Sequence, residues 1–122
     1  MSITLEYHGG TLTDTLPSTL KLLKLAEHPN VLSGWQPRDG KSAEDGADEI
    51  RQIGDKLSTV HVFQWRSWTD RQPLADGADR WKTFLNAAAA DGKPRFALLE
   101  FVKNDDLEQF FKDAETLKRI LM

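Results

Sequence analysis

The sequence predicts an α/β protein made of four successive β-α units. Stretches with strand-like alternation and stretches with apolar residues three and four apart follow one another four times, and helix caps, glycines and prolines fall at the changeovers. The 122 residues suffice for one hydrophobic core and are too few for two ordinary domains, so residues 1–122 are read as a single domain.

The first unit opens with Ile3-Thr4-Leu5-Glu6-Tyr7, which alternates and is closed by His8-Gly9-Gly10. Thr13, Asp14 and Thr15 offer helix caps, Pro17 suits a first turn, and Leu16, Leu20, Leu23 and Leu25 mark a helical face up to His28-Pro29. In the second unit, Val31 to Gln36 read as a short strand ended by Pro37-Arg38-Asp39-Gly40. Ile50, Ile53 and Leu57 then give a helix that starts between Ser42 and Asp48.

Ser58 to Trp65 is the clearest strand, with Val60, Val62, Phe63 and Trp65 around His61. A loop, RSWTDRQPLADG, leads to a helix carrying Ala78, Trp81, Phe84, Leu85 and Ala88, stopped by Asp91-Gly92-Lys93-Pro94. Arg95 to Val102 is the fourth strand. Asp105 with Glu108 reads as a capping box, and Leu107, Phe110, Phe111, Ala114, Leu117 and Leu121 stripe the last helix. Alternation of this kind implies parallel strands joined by right-handed helical crossovers.

Composition excludes several function classes. A formal net charge of -3, a pI near 5.6 and scattered lysines and arginines argue against a nucleic-acid footprint. The absence of cysteine removes disulfides, thiolate metal sites and cysteine nucleophiles. No segment approaches the ~20 apolar residues that span a bilayer, and the amino terminus lacks a signal-peptide pattern, so a soluble, cytoplasmic protein is expected.

Ligands of parallel sheets bind at the carboxyl edge, where loops and helix starts meet. Each strand delivers a polar group there: Glu6 and His8 after the first, Gln36 after the second, His61 and Gln64 in the third, Glu100 late in the fourth. Parity places Thr4, Glu6 and His8 opposite Ile3, Leu5 and Tyr7, sets His61, Phe63 and Trp65 opposite Val60 and Val62, and sets Leu98, Glu100 and Val102 opposite Ala97, Leu99 and Phe101. Two carboxylates and an imidazole sharing one cavity form a donor set that Mn, Mg, Co or Zn accepts. For Glu100 the plainer reading is a structural ion pair with Arg95 or Lys103, and for His61, with Glu6 weighed likewise, a satisfied core residue.

The segments LEYHGG, VHVFQW, RQPLADG and LLEFVKNDD together resemble the carboxyl-terminal half of the sugar phosphate isomerase/epimerase family, the xylose isomerase-like (β/α)8 TIM barrels, and the similarity runs over nearly the whole chain. The resemblance implies half of a barrel, a divalent ion held by Glu6, His61 and Glu100 with Gln36 standing where the family has an aspartate, and Glu6 and Glu100 as the proton-transfer pair. It places Arg66 as a substrate-binding residue. His8 is a further candidate for binding a sugar or sugar phosphate, and Trp35, Trp65 and Trp68 either wall its pocket by stacking on the ring or fill a layer of the barrel, with Trp35 and Trp65 taken as substrate-binding.

A four-stranded parallel sheet leaves two edges and one inner face open, so closure by a second copy is expected, a homodimer of half-barrels, or else by another chain. The activity so implied is isomerisation or epimerisation by proton transfer next to a carbonyl. The alternative is a non-catalytic half-barrel that dimerises and binds a sugar without turnover. Metal-dependent endonucleases share the superfamily fold, but the acidic pI and a total of 3 histidines argue against that class.

Overall fold

The structure, a computed structural model, describes residues 1–122. Its elements run β1 (Ile3–Leu5), α1 (Leu16–Ala26), β2 (Val31–Trp35), α2 (Ala43–Ile53), β3 (Leu57–Val62), β4 (Trp65–Ser67), β5 (Asp70–Arg71), α3 (Ala78–Ala89), β6 (Phe96–Leu99) and α4 (Leu107–Leu121). Strands β1, β2, β3 and β6 form one parallel sheet in that order, so sequence order and spatial order agree. Successive helices pack on one another and on one face of this sheet. The four expected β-α units are present, and no helix is long and apolar enough to cross a membrane.

Local chemistry sets the element boundaries. Thr15 caps α1 by accepting from the Ser18 N–H while the Ser18 hydroxyl accepts from the Thr15 N–H, and Pro17 sits in the first turn. Ser42 and Asp45 repeat that reciprocal cap on α2, so the acidic pair Glu44-Asp45 is partly a capping device. The cap of α4 differs by one residue from the expected one: Asp106, not Asp105, accepts from the Gln109 N–H. Asp105 is instead drawn into the preceding turn, where it pairs with Arg71.

The core lies between sheet and helices. Tyr7, Trp35, Ile50, Val60, Val62, Leu74, Trp81 and Phe84 are buried there, with Trp35 and Trp81 packing edge-on against Phe84. Burying aromatics of this size supplies much of the favourable area in a chain this small. Two indole N–H groups are satisfied in the process: Trp35 donates to Glu49 Oε2 at 3.0 Å and Trp81 to the Phe63 carbonyl at 3.0 Å.

The strands end earlier than alternation suggests. β1 stops at Leu5, β3 at Val62 and β6 at Leu99, which leaves Glu6, Phe63 and Glu100 just past the ordered sheet. The expected loop after β3 contains the β4–β5 hairpin, in which Trp65 and Arg71 are register partners. Phe63, expected beside His61 on the inner face, turns instead into an aromatic cluster with Trp65, Trp81 and Phe101. Once the chain leaves the ladder, alternation no longer dictates side-chain direction.

The other face of the sheet carries no layer. Phe96 is 70% exposed and Leu98 45% exposed there, while their alternates Ala97 and Leu99 pack on the core. The stripe on α4 is also only partly used: Leu117 is buried, whereas Leu107, Phe110, Phe111 and Leu121 stay exposed. These apolar groups follow the amphipathic pattern expected of them but stay largely exposed in the single chain.

Candidate active site

All four strands of the sheet contribute to a concavity of about 320 Å³ on the uncovered face, bordered by Thr4, Glu6, Gly34, Gln36, Thr59, His61 and Leu98. Its floor depends on Gly34. A Cβ there would stand 2.9 Å from Thr59 Oγ1, so a larger residue would force the Thr59 side chain to move, and the register between β2 and β3 shifts at this point.

Beside the concavity, His61 Nδ1 lies 3.3 Å from Glu100 Oε2, with both side chains partly shielded. The backbone explains the meeting: His61 is the register partner of Leu98, and Glu100 stands two residues further along the same face, its N–H bonded to the Val62 carbonyl at 2.9 Å. Glu100 Oε2 is screened from solvent yet has no hydrogen bond of proper alignment, the imidazole approach being close but off-axis. A shielded carboxylate oxygen in that condition is costly unless a further group engages it. Glu100 therefore takes neither of the plain partners expected for it. Arg95 lies at the opposite end of β6, bonded to Asp91, Gly54 and Leu57.

Not every expected site residue joins this pair. Glu6 and Gln36 border the same concavity, but no three histidine or acidic side chains come together in a way that could hold a metal ion. Of the expected ligands, Glu6, His61 and Glu100 thus form no three-donor cluster, while Gln36 borders the concavity with Glu6 and His61. Glu6 lies beyond the end of β1 on an exposed rim, out of the ladder that aligns His61 with Glu100. The two donors that do meet, an imidazole nitrogen and an orphaned carboxylate oxygen, suit a borderline divalent ion and would make one edge of its shell.

Trp35 borders the concavity too, but its indole is buried in the core, where it donates to Glu49. Trp65 is partly exposed on the hairpin and stacks on Phe101 with ring centroids 5.4 Å apart. Arg66 follows it with an exposed side chain. His8 is exposed in the turn after β1, its Nδ1 2.8 Å from the Gly9 carbonyl oxygen.

Behind the carboxyl edge lies a cluster that the sequence reading did not single out. Glu49, 6% exposed, accepts from Trp35 and faces Lys41 at 3.4 Å, while the Arg38 guanidinium sits 4.5 Å from the centre of the Tyr7 ring. Burial and then the Glu49 charge push the Tyr7 phenol above its ordinary pKa, against the lowering influence of Arg38. The available signal was Glu49 itself, a carboxylate on the same helical face as Gly46, Ile50 and Ile53.

Four parallel β-α units, a covered outer face and a polar concavity on the inner one define half of a (β/α)8 barrel of the xylose isomerase-like class. Over 67 aligned residues, 50% of this chain and 22% of the relative, the sequence is 39% identical to a 3-dehydroshikimate dehydratase of Bacillus anthracis. The fold matches the crystal structure of the probable 3-DHS dehydratase AsbF, involved in petrobactin synthesis, from the same organism. The TM-score is 0.69 at 25% identity, over 96% of this chain and 48% of that one. The chain thus spans about half the length of the solved structure it matches. No family model matches the sequence.

Proposed function

We propose that this chain supplies one half of an enzyme that removes a proton next to a carbonyl and then expels water from the adjacent carbon, acting on a cyclic hydroxy-carbonyl compound such as 3-dehydroshikimate. The observation that carries this reading is the shielded, unpartnered Glu100 oxygen facing His61 at the carboxyl edge of the sheet. The kinship with a 3-dehydroshikimate dehydratase supports the substrate class.

Glu100 accepts the proton from carbon and the electron pair moves onto the carbonyl oxygen. The return of that pair re-forms the carbonyl and makes a carbon–carbon double bond as the carbon–hydroxyl bond breaks, its electrons leaving with the oxygen. Glu6 on the rim delivers the proton that lets hydroxide leave as water. His61 holds the Glu100 carboxylate and, with it, offers two donors to a Mn, Mg, Co or Zn ion. Such an ion, when bound, supplies polarisation of the carbonyl oxygen. Isomerisation or epimerisation of a sugar or sugar phosphate shares the first step and then returns a proton to carbon with no loss of water, so it remains the neighbouring reading for the same residues.

The open inner face is to be covered by four further strands, and a second copy of this chain about a two-fold axis provides them with β6 of each copy beside β1 of the other. A half-barrel that associates without turnover is favoured by one observation: Glu6 shares the concavity with His61, yet Glu6, His61 and Glu100 form no three-donor cluster that could hold a metal ion.

The test incubates the protein and its Glu100→Gln variant with Mn and 3-dehydroshikimate and follows the loss of one water by mass spectrometry. Turnover by the parent and not by the variant supports catalysis at Glu100. Equal, buffer-level rates select the non-catalytic reading.

A further inference from the structure

We propose that Arg71 is a positioning residue for Glu100, acting through the backbone of residues 101–105. The residue after Glu100, Phe101, has φ of +53°, a region that a bulky aromatic residue enters only when its surroundings force it, and Asn104 and Asp105 follow at +58° and +51°. Asn104 and Asp105 enter that region readily, so the strain sits at Phe101, whose backbone would relax if nothing held it.

The β4–β5 hairpin holds it. Its register partners Trp65 and Arg71 stand side by side, Trp65 stacked on the Phe101 ring and the Arg71 guanidinium 4.9 Å from the centre of the same ring. Arg71 also donates from Nη1 to Asp105 Oδ1 at 2.6 Å, so a single planar group spans both ends of the strained turn. The Arg71 side chain is 19% exposed and the Asp105 side chain 81%; the ion pair alone is therefore screened, and the stacking makes the clamp. Lysine has the charge for the ion pair but no planar fork that can lie on a ring while reaching a carboxylate.

The hairpin starts just past β3, whose last residue Val62 accepts the Glu100 N–H. One end of the clamp is thus anchored to the strand that carries His61, and the other dictates the direction in which the chain leaves Glu100. A relaxed, extended Phe101 would continue β6 and release the carboxylate from the imidazole. This inference concerns the geometry of the free protein and holds whether or not the proposed dehydration occurs.

Amide hydrogen exchange and nuclear Overhauser contacts of the full labelled chain test it without substrate or metal. In Arg71→Lys and in Asp105→Asn, exchange at the Glu100 amide rises, by about tenfold in Arg71→Lys, while amides of the β2–β3 ladder keep their rates. The contacts between the Glu100 side chain and the His61 ring weaken in step. Arg66→Lys, on the same hairpin with an exposed side chain, changes neither. An unchanged Glu100 amide in Arg71→Lys overturns the proposal, and so does a rise shared by the whole sheet, which would make Arg71 a general stabiliser.

Discussion

Glu100 stands two residues beyond Leu98, the register partner of His61, and its Oε2 comes to 3.3 Å from the imidazole Nδ1. Neither residue is near the other in sequence, and parallel pairing of β3 with β6 is what makes them neighbours. The shielded carboxylate oxygen there is the most demanding polar group on the open face.

A divalent ion engaging this pair must stabilise the folded protein, because a ligand bound only by the native state shifts unfolding by mass action. Mn in excess is expected to raise the melting temperature of the parent and to leave His61→Ala and Glu100→Gln unmoved. Scanning calorimetry with and without Mn reads the difference, and an equal rise in all three would place the ion elsewhere.

Arg95 ties the amino-terminal edge of the sheet together, donating to the carbonyls of Gly54 and Leu57 and to Asp91 Oδ2. Arg95→Ala leaves those carbonyls without their donor and is expected to cost about 2–4 kcal/mol in urea unfolding. A loss under about 1 kcal/mol would mean that water replaces the guanidinium at no cost.

The same arginine gives stability a pH dependence. Its hydrogen bonds, helped by the Lys93 N–H, hold the Asp91 carboxyl well below its ordinary value of 3.8. A depressed folded-state pKa contributes stability that is present above the unfolded value and lost as pH falls from there through the folded one. Melting temperature is therefore expected to drop below about pH 4 in the parent. Asp91→Asn should flatten that part of the profile, and a superimposable acid limb would sink the assignment.

Gly46 lies in α2 against the aromatic core, where an added Cβ would stand 2.5 Å from Phe84 Cε1 and 3.0 Å from Trp35 Cζ2. Alanine is the better helix former by about 1 kcal/mol, yet the overlap with two packed rings decides the sign. Gly46→Ala is expected to destabilise by about 1–3 kcal/mol, and a gain in stability would show that the rings yield freely.

Phe96 presents an exposed ring on the open inner face. If a second copy covers that face, Phe96→Asp should weaken self-association by at least tenfold while barely changing the unfolding of the monomer. Sedimentation equilibrium at micromolar concentration measures both chains. A parent that stays monomeric there refutes closure by a second copy.

Much of this architecture is legible in a linear reading because its causes are local. Thr15 with Ser18, Ser42 with Asp45, and the Ile50-Ile53 spacing depend on residues within one or two helical turns, and the alternation of Ala97 and Leu99 with Leu98 depends only on the pleat of a strand. Parity also put His61 and Glu100 on one face. It failed for Phe63 and Phe101, which lie beyond the ends of their strands, where direction follows from aromatic contacts instead.

The order of units, the caps and the polar residues at each strand outlet are written in short-range patterns, and these were enough for an α/β chain of four β-α units. The resemblance of LEYHGG, VHVFQW, RQPLADG and LLEFVKNDD to a known family is what pointed to a xylose isomerase-like half-barrel. Contacts across long sequence separations decided the rest. Trp35 went to the core because Glu49 and Phe84 await it there, Asp105 left the cap for Arg71, and Glu6 stayed on a rim, forming no three-donor cluster with His61 and Glu100. Such outcomes turn on which packed partner offers the larger gain, and that comparison exists only once the chain has brought distant segments together.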